Sequence, residues 1–443
     1  MIRSISIPDR YAAQCQRLAV AGPAWLRELR QQGFERFAAL GFPTPKQEEW
    51  RFTDLSKLAG IAFDDGDATS AVTAAELQGC TAGIKTVARL TFVDGHYRPD
   101  LSCAGCLPRG LELKSLAAAT DKGDVPLRAT LCDSAARLGN DPFAALNQAL
   151  MSDGAVIRCA SGTRVELPLH LLFVNTSRNG PHASHLRVLV SAGAGSSLTI
   201  FEQHVSLGPA IGFSNCFTEI DAATASEVRH YLLHDLNPVS FGMQTVAIRQ
   251  EAASRTESHS LLLGGALVRN NVLITLAGAG GDSMLNGLYL PHGSQHTDFN
   301  MRVRHSAPDC NSHQHCKGIL SDSGSAVFTG RIVVDPGAQK TSAIQTNRAL
   351  LLSDEATINS QPQLEIYADD VRCTHGMTAG ELDADALFYL RSRGIPSAQA
   401  RALMIYAFAR ETVELMSDPA LRGMAEKLLT DRLPQWQALA GVL

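Results

Sequence analysis

The segment "EIYADDVRCTHGMTAG", residues 365–380, carries a thiol and an imidazole one residue apart. Cys373 and His375 are side chains of the types that bind iron and zinc readily. Alternate residues of a β-strand share one face, so Val371, Cys373 and His375 project together if a strand extends this far. The segment is therefore a candidate metal site, and the alternatives are a catalytic pair or the end of a structural strand, with a histidine in an ordinary place in the core or on the surface.

A second cluster of the same residue types occurs in "PDCNSHQHCKG". In a strand, Cys310 and Cys316 would lie on one face and His313 and His315 on the other, so the four could not surround one ion. A helix would gather 310, 313 and 316, but Pro308 and the strand-rich surroundings favour a strand. A local metal site is the weaker interpretation here.

Other motifs that carry chemistry are absent from the sequence or incomplete. Cys103 and Cys106 form a single CxxC pair, and with no second pair nearby a zinc ion would lack ligands. There is no phosphate-binding loop, no nucleophile elbow, no His-Glu-x-x-His and no dinucleotide fingerprint between a strand and a helix. The sequence therefore does not predict ATP hydrolysis or nicotinamide binding by this chain.

The bulk composition is that of a globular protein with ordinary solubility. Of the 443 residues, 45% are hydrophobic and 19% charged, which excludes a disordered chain. The net charge of −5 and the pI near 6.3 argue against nucleic acid as a partner. No long apolar run or signal peptide is evident, and the ten cysteines are not densely spaced, so we expect a cytoplasmic protein with reduced thiols and no membrane contact.

The helical period dominates from residue 1 to about 150. The segment "AWLRELRQQGFERFAALGF" predicts a helix with a break near Gly33, ended by Gly41 and Pro43. The segment "DPFAALNQALMSDG" predicts a second helix that starts at Asp141 and stops by Gly154. We expect a mostly helical N-terminal domain over residues 1–150.

Short β-branched and apolar segments recur between residues 151 and 375, separated by clusters of Gly, Ala and Ser. The clusters fall at intervals of roughly 25 to 30 residues, with one gap nearly twice that size. This quasi-period favours a parallel β-helix, in which small residues recur at one corner of each coil, over an antiparallel sandwich or barrel. Gln345 and Asn347 would then form a stacked polar ladder inside the coils.

The helical period returns over residues 376–443. Asp383 is the predicted N-cap of a helix that Gly394 ends. A second helix is predicted to bury a stripe of five residues: Ala400, Leu403, Met404, Ala407 and Phe408.

Four segments carry a resemblance to a known family: "KQEEWRFTDL", "HCKGIL" with Lys317 and Gly318, "VFTGRIVVDPGAQKTSAIQTNRALLLSDEATINSQPQLEIYADDVRCTHG" and "LDADALFYLRSRGI". The resemblance spans most of the chain and is densest between residues 296 and 396. They resemble the SufB/SufD family, the scaffold subunits of bacterial and plastid iron–sulfur cluster assembly. "YADDVRCTHG" is similar to the SufD branch, whereas SufB has a glutamate-containing sequence there. The family fold implies a mainly β protein, with a right-handed parallel β-helix between helical terminal domains.

The resemblance implies a role in assembly rather than a catalysed reaction. SufD-like subunits pair with SufB and with the ATPase SufC, and SufB receives sulfur from a cysteine desulfurase and a sulfur-transfer protein. A transient cluster forms at the SufB–SufD contact, and reduced flavin could take part in the complex. His375 corresponds to the histidine that is a ligand candidate in the family, and Cys373 is the second candidate. Asp369 or Asp370 could orient His375, or could instead cap the turn.

The resemblance also implies that the C-terminal helices dock SufC. The docking candidates are Leu382, Leu387, Phe388, Tyr389, Arg391, Arg393 and Gly394. If this chain supplies only part of the ligands of a cluster at a subunit contact, the isolated chain is predicted to hold little or no cluster. The chain could also pair with itself when SufB is scarce. Two alternatives remain at this point: a β-helix enzyme acting on polysaccharides, and a purely architectural subunit.

Overall fold

A computed structural model describes residues 9–18, 22–65, 70–81, 83–121, 124–137, 139–176, 178 and 180–433. The helices are α1 (Asp9–Leu18), α2 (Ala24–Leu40), α3 (Ser56–Gly60), α4 (Gln78–Thr81), α5 (Leu116–Asp121), α6 (Val125–Arg137), α7 (Pro142–Leu150), α8 (Ala384–Ser392), α9 (Ser397–Val413) and α10 (Pro419–Arg432). Short 3-10 helices occupy Glu48–Trp50 and Pro99–Leu101.

From β6 onward the strands alternate between two sheets along the chain. They are β1 (Asp64–Asp65), β2 (Ala88–Val93), β3 (His96–Tyr97), β4 (Cys103–Ala104), β5 (Leu111–Ser115), β6 (Asp153–Cys159), β7 (Leu169–Asn175), β8 (His182–Ala192), β9 (Ser197–Ser206), β10 (Gly212–Ala222), β11 (Glu227–Asp235), β12 (Phe241–Gln250), β13 (Arg255–Leu262), β14 (Leu267–Leu276), β15 (Asp282–Tyr289), β16 (His296–His305), β17 (Asn311–Leu320), β18 (Ser325–Val334), β19 (Ser342–Leu351), β20 (Thr357–Ile366) and β21 (Arg372–Gly380).

Each coil of the chain contributes one strand to each sheet. Sheet A has the order β20-β18-β16-β14-β12-β10-β8-β6-β5, with β1 beside β8, and sheet B has the order β21-β19-β17-β15-β13-β11-β9-β7-β2-β3, with β4 beside β2. From β6 and β7 onward every pairing between neighbouring coils is parallel. The predicted fold is thereby confirmed: the protein is mainly β, with a parallel β-solenoid of about eight turns and helices at both ends of the chain.

One corner of the solenoid repeats with the same backbone conformation. It joins each strand of sheet A from β6 to β18 to the next strand of sheet B, and at it a residue has φ between 55° and 72°: Gly162, Gly195, Ala225, Ala253, Gly280, Asp309 and Lys340. The amide of each donates to a carbonyl of the following coil, as Gly195 N does to Thr224 O at 3.0 Å. Small residues do recur at this corner, as expected, because a Cβ is disfavoured there.

The irregular gap in the sequence pattern has a structural cause. At two corners the residue with positive φ is neither Gly nor Ala, Asp309 and Lys340, and no small-residue cluster was counted at either. The clusters at residues 323–325 and at Ala356 lie instead in connections from sheet B to sheet A. The small-residue clusters are therefore not one series, although the coil length that they suggested is close to the observed one.

The three largest hydrophobic clusters of the described residues hold the sheets and helices together. The first lies between the two sheets and includes Val188, Ile220, Leu285 and Phe299. The second packs the N-terminal helices and Trp50 onto the outer face of sheet A. The third packs α9 and α10 onto the outer face of sheet B. Long stretches of both sheets are consequently buried on both faces.

The predicted break in the second helix is wrong. α2 runs through Gly33 without interruption, and Gly33 lies against α7. A Cβ at Gly33 would stand 2.7 Å from the backbone nitrogen of Ala149, so the glycine permits close helix packing. The start of α7 is as expected, since the Asp141 side chain accepts hydrogen bonds from the amides of Phe143 and Ala144.

The C-terminal helices follow the predicted caps, but the stripe on α9 is wrong. Asp383 caps α8, and Gly394 has φ 87° just after it. The side chains that α9 buries are Ala400, Ala402, Ile405, Ala409, Thr412 and Val413, so only the first residue of the predicted stripe is fully buried. Alanines occur on two opposite sides of α9, so the period of the sequence does not identify the buried side.

Strand β21 continues to Gly380, beyond the boundary that we expected at residue 375. The division into domains at 150 and 375 stays a prediction, and parts of the expected terminal domains lie outside the described ranges. Within those ranges, no helix has the length and apolar character needed to span a lipid bilayer.

Candidate functional site

The segment that carries Cys373 and His375 forms β21, the last strand of sheet B. Its hydrogen-bonding partner is β19, and in the described part of the chain no strand pairs with its other edge. Cys373 and Met377 are half-buried, whereas the other residues of β21 are exposed. A strand edge with unpaired amides and carbonyls is suited to contact with another chain.

Cys373 and His375 share a face of β21, as the alternation predicted. Cys373 is in register with Ala343 and His375 with Gln345. Both partners on β19 are fully buried, so this is the face that points into the solenoid. His375 is nevertheless exposed, because the solenoid ends at β21. The imidazole therefore occupies the open end of an inward-facing column.

The column below His375 is a hydrogen-bonded polar ladder, and this prediction is confirmed. Nε2 of Gln345 donates to Oε1 of Gln314 at 2.6 Å. In the neighbouring column Oδ1 of Asn347 accepts from the Tyr289 hydroxyl at 3.0 Å. The strand that supports His375 is thus fixed by contacts within the solenoid interior.

Cys373 is less accessible than His375 and packs against an apolar cluster that includes Ile332, Val334 and Ala343. Burial raises the pKa of the Cys373 thiol above its usual value. The thiol is accordingly protonated at neutral pH and would have to lose a proton to bind a metal. His375 needs no such step when its imidazole is neutral.

The two aspartates lie in the turn between β20 and β21, and both are exposed. The backbone of Asp370 closes this turn, since its carbonyl accepts from Lys340 N at 2.6 Å and its amide donates to Oε1 of Gln339 at 2.9 Å. In the residues that the structure describes, neither Asp369 nor Asp370 forms a hydrogen bond with His375. Their role in orienting the imidazole stays a prediction.

The structure separates the members of the other cysteine and histidine clusters. On β17 and just before it, Cys316 and Cys310 are fully buried inside the solenoid, whereas His313 is exposed on the outer face. The expected division of these residues between two faces is confirmed. Cys103 and Cys106 are exposed free thiols.

The predicted ATPase-docking residues lie on or next to α8, a helix with no fully buried residue. Phe388 is 71% exposed and Tyr389 57% exposed. The guanidinium of Arg393 lies 5.1 Å from the centre of the Tyr389 ring. Leu382 and Leu387 are half-buried, while Arg391 and Gly394 are exposed. The helix thus presents aromatic side chains that nothing in the described chain covers.

Sequence reasoning missed a second group of possible metal ligands. Glu202, His204 and Cys216 lie deep inside the solenoid, and their ligand atoms are within 4.8 Å of one another. The available signal was Glu-x-His within the predicted strand "SSLTIFEQHVS", a spacing that puts both side chains on one face.

Comparison with known proteins gives a consistent result. The family model for the SufBD core domain of SUF-system FeS cluster assembly matches residues 173–408, and the model for the SufBD N-terminal region matches residues 4–171. The iron–sulfur cluster assembly protein SufD of Escherichia coli is 33% identical over 91% of this chain and 92% of the relative. A SufBD family protein of Synechocystis is 32% identical over 91% and 90%, and SufD of Bacillus subtilis is 27% identical over 92% and 93%.

Proposed function

This chain belongs to the SufBD family of iron–sulfur cluster assembly proteins, and from that membership we propose that it is a non-catalytic scaffold subunit on which a nascent cluster forms at the contact with a SufB-like partner. The cluster is cargo in this proposal. It is assembled, held briefly and passed on, and it is not a resident cofactor.

The observation that supports this proposal most directly is the place of His375. The imidazole is exposed at the end of an inward-facing column, on a strand whose outer edge has no partner in the described chain. A partner that pairs with or covers this edge would bring its own side chains next to His375. Such a contact would also remove the imidazole from water, which strengthens metal–ligand bonds.

The ligand set on this chain is incomplete. His375 offers one ligand and the half-buried Cys373 a second, so the remaining positions around an iron atom must be filled by the partner or by sulfide. We expect the isolated chain to hold little or no cluster.

The exposed aromatic surface of α8 is the proposed docking site for a SufC-like ATPase. Phe388 and Tyr389 project from a helix that buries no residue of its own, and partly or fully exposed aromatic side chains are typical anchors of protein interfaces. Arg391 and Arg393 add positive charge to the same short segment.

A buried contact joins the C-terminal helices to the strands that support β21. Lys317 on β17 is fully buried, and its Nζ donates to the Phe408 carbonyl on α9 at 2.8 Å. The same ammonium pairs with Glu411 and lies 4.4 Å from the Phe408 ring centre. Force applied to α8 by ATP-driven dimerisation of the ATPase would thus reach β17, two strands from the edge that carries His375.

The test is cluster assembly on the complex of this chain with its SufB-like and SufC-like partners. We expect His375→Ala to leave complex formation unchanged, because the side chain is exposed, and to lower the iron and sulfide retained per complex by about tenfold or more, as for loss of a metal ligand. Iron and acid-labile sulfide are measured after anaerobic reconstitution.

His313→Ala is the matched control, because His313 is also exposed but lies on the outer face of β17. Cluster retention equal to that of the unmodified complex is expected for this variant. If His375→Ala retains as much iron and sulfide as His313→Ala, the assignment of His375 is wrong. If Cys373→Ser in addition has no effect, the subunit is purely architectural.

A further inference from the structure

A group of ionisable side chains lies in the interior of the solenoid, far along the sheets from β21. Glu202 and His204 are on β9, His230 is on β11, and Cys216 is on β10 of the opposite sheet. All four side chains are 0% to 1% exposed. They face the space between the sheets, where their polar contacts include Ser214, Thr218, Gln244 and Ser258.

Three of the potential ligand atoms lie close together, and the fourth, on His230, lies beside Glu202. A carboxylate oxygen of Glu202, a ring nitrogen of His204 and Sγ of Cys216 lie within 4.8 Å of one another. Nε2 of His230 is 3.3 Å from Oε1 of Glu202, and Nε2 of His204 is 3.8 Å from Oε2. Ligands of a tetrahedral zinc or iron site are about 3.3 to 3.7 Å apart. Glu202, His204 and Cys216 would therefore have to approach one another by about 1 Å, and His230 would have to move from its place beside Glu202 toward the other two.

Each imidazole has one nitrogen in contact with a serine and the other near the Glu202 carboxylate. Nδ1 of His230 contacts the Ser258 hydroxyl at 3.2 Å, and Nδ1 of His204 contacts the Ser214 hydroxyl at 3.5 Å. The Nε2 atoms of both residues are buried without a hydrogen bond of acceptable geometry. This is the arrangement of metal-binding histidines, in which an outer partner orients the ring and leaves the other nitrogen for the metal.

Glu202 is held in place by neutral donors. The Thr218 hydroxyl donates to Oε1 at 2.7 Å and Nε2 of Gln244 donates to Oε2 at 3.2 Å. No Lys or Arg of the described chain is within ion-pair distance of this carboxylate. The ion-pair partners of Glu202 are the imidazoles of His204 and His230, which carry a charge only when they are protonated. With neutral imidazoles the buried carboxylate lacks a cation, which is unfavourable by several kcal/mol, so a metal ion at this position would be strongly favoured.

We propose that Glu202, His204, Cys216 and His230 bind one divalent transition-metal ion of the zinc or ferrous type, which joins the two sheets inside the solenoid. Cys216 binds as the thiolate, so its proton is released when the metal enters, and both histidines bind as neutral imidazoles through Nε2. The charges then balance, because the carboxylate and the thiolate together neutralise the divalent cation. A neutral set of oxygen, nitrogen and sulfur ligands suits a dry interior and this class of metal.

This site is independent of the proposed cluster contact. His375 lies on β21, whereas the four ligands lie on β9, β10 and β11, several coils away. The metal would be a permanent part of the fold, inserted as the solenoid forms, because the group is closed to solvent.

The experiment uses the full chain with both end residues changed, Cys373→Ser and His375→Ala, so that cargo binding at β21 does not contribute. The protein is purified from cells supplied with Zn²⁺ or with Co²⁺. We expect about one metal per chain by mass spectrometry, and a thiolate-to-metal charge-transfer band in the Co²⁺ form.

Adding Cys216→Ser should abolish that band and lower the bound metal about tenfold or more, and Glu202→Gln should also lower it. Cys316→Ser is the matched control, because Cys316 is equally buried but lies on β17, where its thiol contacts Met301. The variant with Cys316→Ser added should therefore keep both the charge-transfer band and the bound metal. Three results would overturn the proposal. The protein with Cys373→Ser and His375→Ala could be purified without metal, or its Co²⁺ form could lack the thiolate band. The variant with Cys216→Ser added could also retain as much metal as the variant with Cys316→Ser added. If the Cys216→Ser variant does not fold, the Co²⁺ spectrum of the protein with Cys373→Ser and His375→Ala and the metal content of the Glu202→Gln variant still test the proposal.

Discussion

Gly33 illustrates at the scale of a single residue how packing overrides local propensity. Glycine in a helix interior costs about 1 kcal/mol relative to alanine, which is why the sequence suggested a break. The helix is continuous because α2 and α7 approach so closely at this point that no side chain fits, with Gln148 and Ala149 against the Gly33 backbone. The close contact between α2 and α7, which is not visible in the local sequence, is the reason that position 33 is a glycine.

Gly33→Ala is therefore expected to destabilise the protein by about 1 to 3 kcal/mol, because the new methyl group must displace the backbone of α7. Gly423→Ala is the control, since Gly423 is exposed in α10 with no atom within 4 Å of the added Cβ. That change should be stabilising by up to about 1 kcal/mol. The midpoints of urea unfolding measure both effects, and equal responses of the two variants would contradict this account.

His375 and Cys373 show what residue type and spacing can predict about a site. Their shared face followed from strand alternation, and their position at an edge followed from the change to a helical period just after them. The difference in exposure between them could not be predicted, because it depends on where the solenoid ends and on apolar residues of β18 and β19.

At the scale of elements, the connection between α9 and α10 is fastened to sheet B by one carboxylate. Glu257 on β13 accepts from the amide and the hydroxyl of Ser417, at 3.0 and 2.5 Å, and from the Tyr231 hydroxyl at 2.9 Å. Burial alone would raise the pKa of Glu257, but the contacts with His259 and Ser417 outweigh it and lower the pKa from 4.5 to about 2. The ionised carboxylate is thus the form that holds the helices.

Since the folded-state pKa is depressed, this contribution is fully present above pH 4.5 and is lost as the pH falls toward 2. Glu257→Gln should lower stability at pH 7 by about 1 kcal/mol, a value reduced for solvent screening of a partly exposed group. The difference in melting temperature between the original protein and the variant should shrink below pH 4.5.

Glu251→Gln is the matched control for this pH series. Its exposed carboxylate pairs with Arg249 at 2.8 Å, and an exposed pair of this kind contributes little. The role of Glu257 would be contradicted if the melting-temperature difference caused by Glu257→Gln did not change with pH. It would also be contradicted if Glu251→Gln caused an equally large difference.

The inward faces of β9 and β11 explain why the interior group of Glu202 and His204 was missed. The strand period identified both segments, but the outward residues Phe201 and Tyr231 are as buried as the inward ones, because α9 and α10 cover sheet B. With both faces buried, the alternation of apolar and polar residues that would have revealed the inner face is lost.

At the scale of the whole molecule, the two helical regions cover opposite sheets, and within the described residues the edge at β21 and the aromatic face of α8 stay uncovered. The coil length, the parallel topology and the helical termini could be predicted because they repeat or follow capping residues. The side of α9 that packs on sheet B could not be predicted, because Ile405 and Ala409 are selected by the shape of that sheet.

Removal of the α8 anchors tests how the whole assembly is held together. Phe388→Ala with Tyr389→Ala should weaken capture of a SufC-like ATPase by about 2 kcal/mol, roughly 30-fold in Kd, while the melting temperature stays unchanged because both rings are exposed. Calorimetric titration of the purified ATPase measures the loss. Val239→Ala, at a side chain 40% exposed in the connection between β11 and β12, is the control, and equal affinities of the two variants would exclude α8 as the docking surface.

The repeated corner has a consequence for how this protein can change length in evolution. Corners at Gly195, Ala225 and Ala253 follow one another by a whole coil, and each donates its amide to the next coil. Inserting or deleting a single residue in a strand would reverse every side chain beyond it, whereas duplicating or losing a complete coil would preserve all inward columns and every corner. Length variation among homologues should therefore come in steps of one coil or be confined to the connections, and the terminal coil would bear the residues that meet a partner in either case.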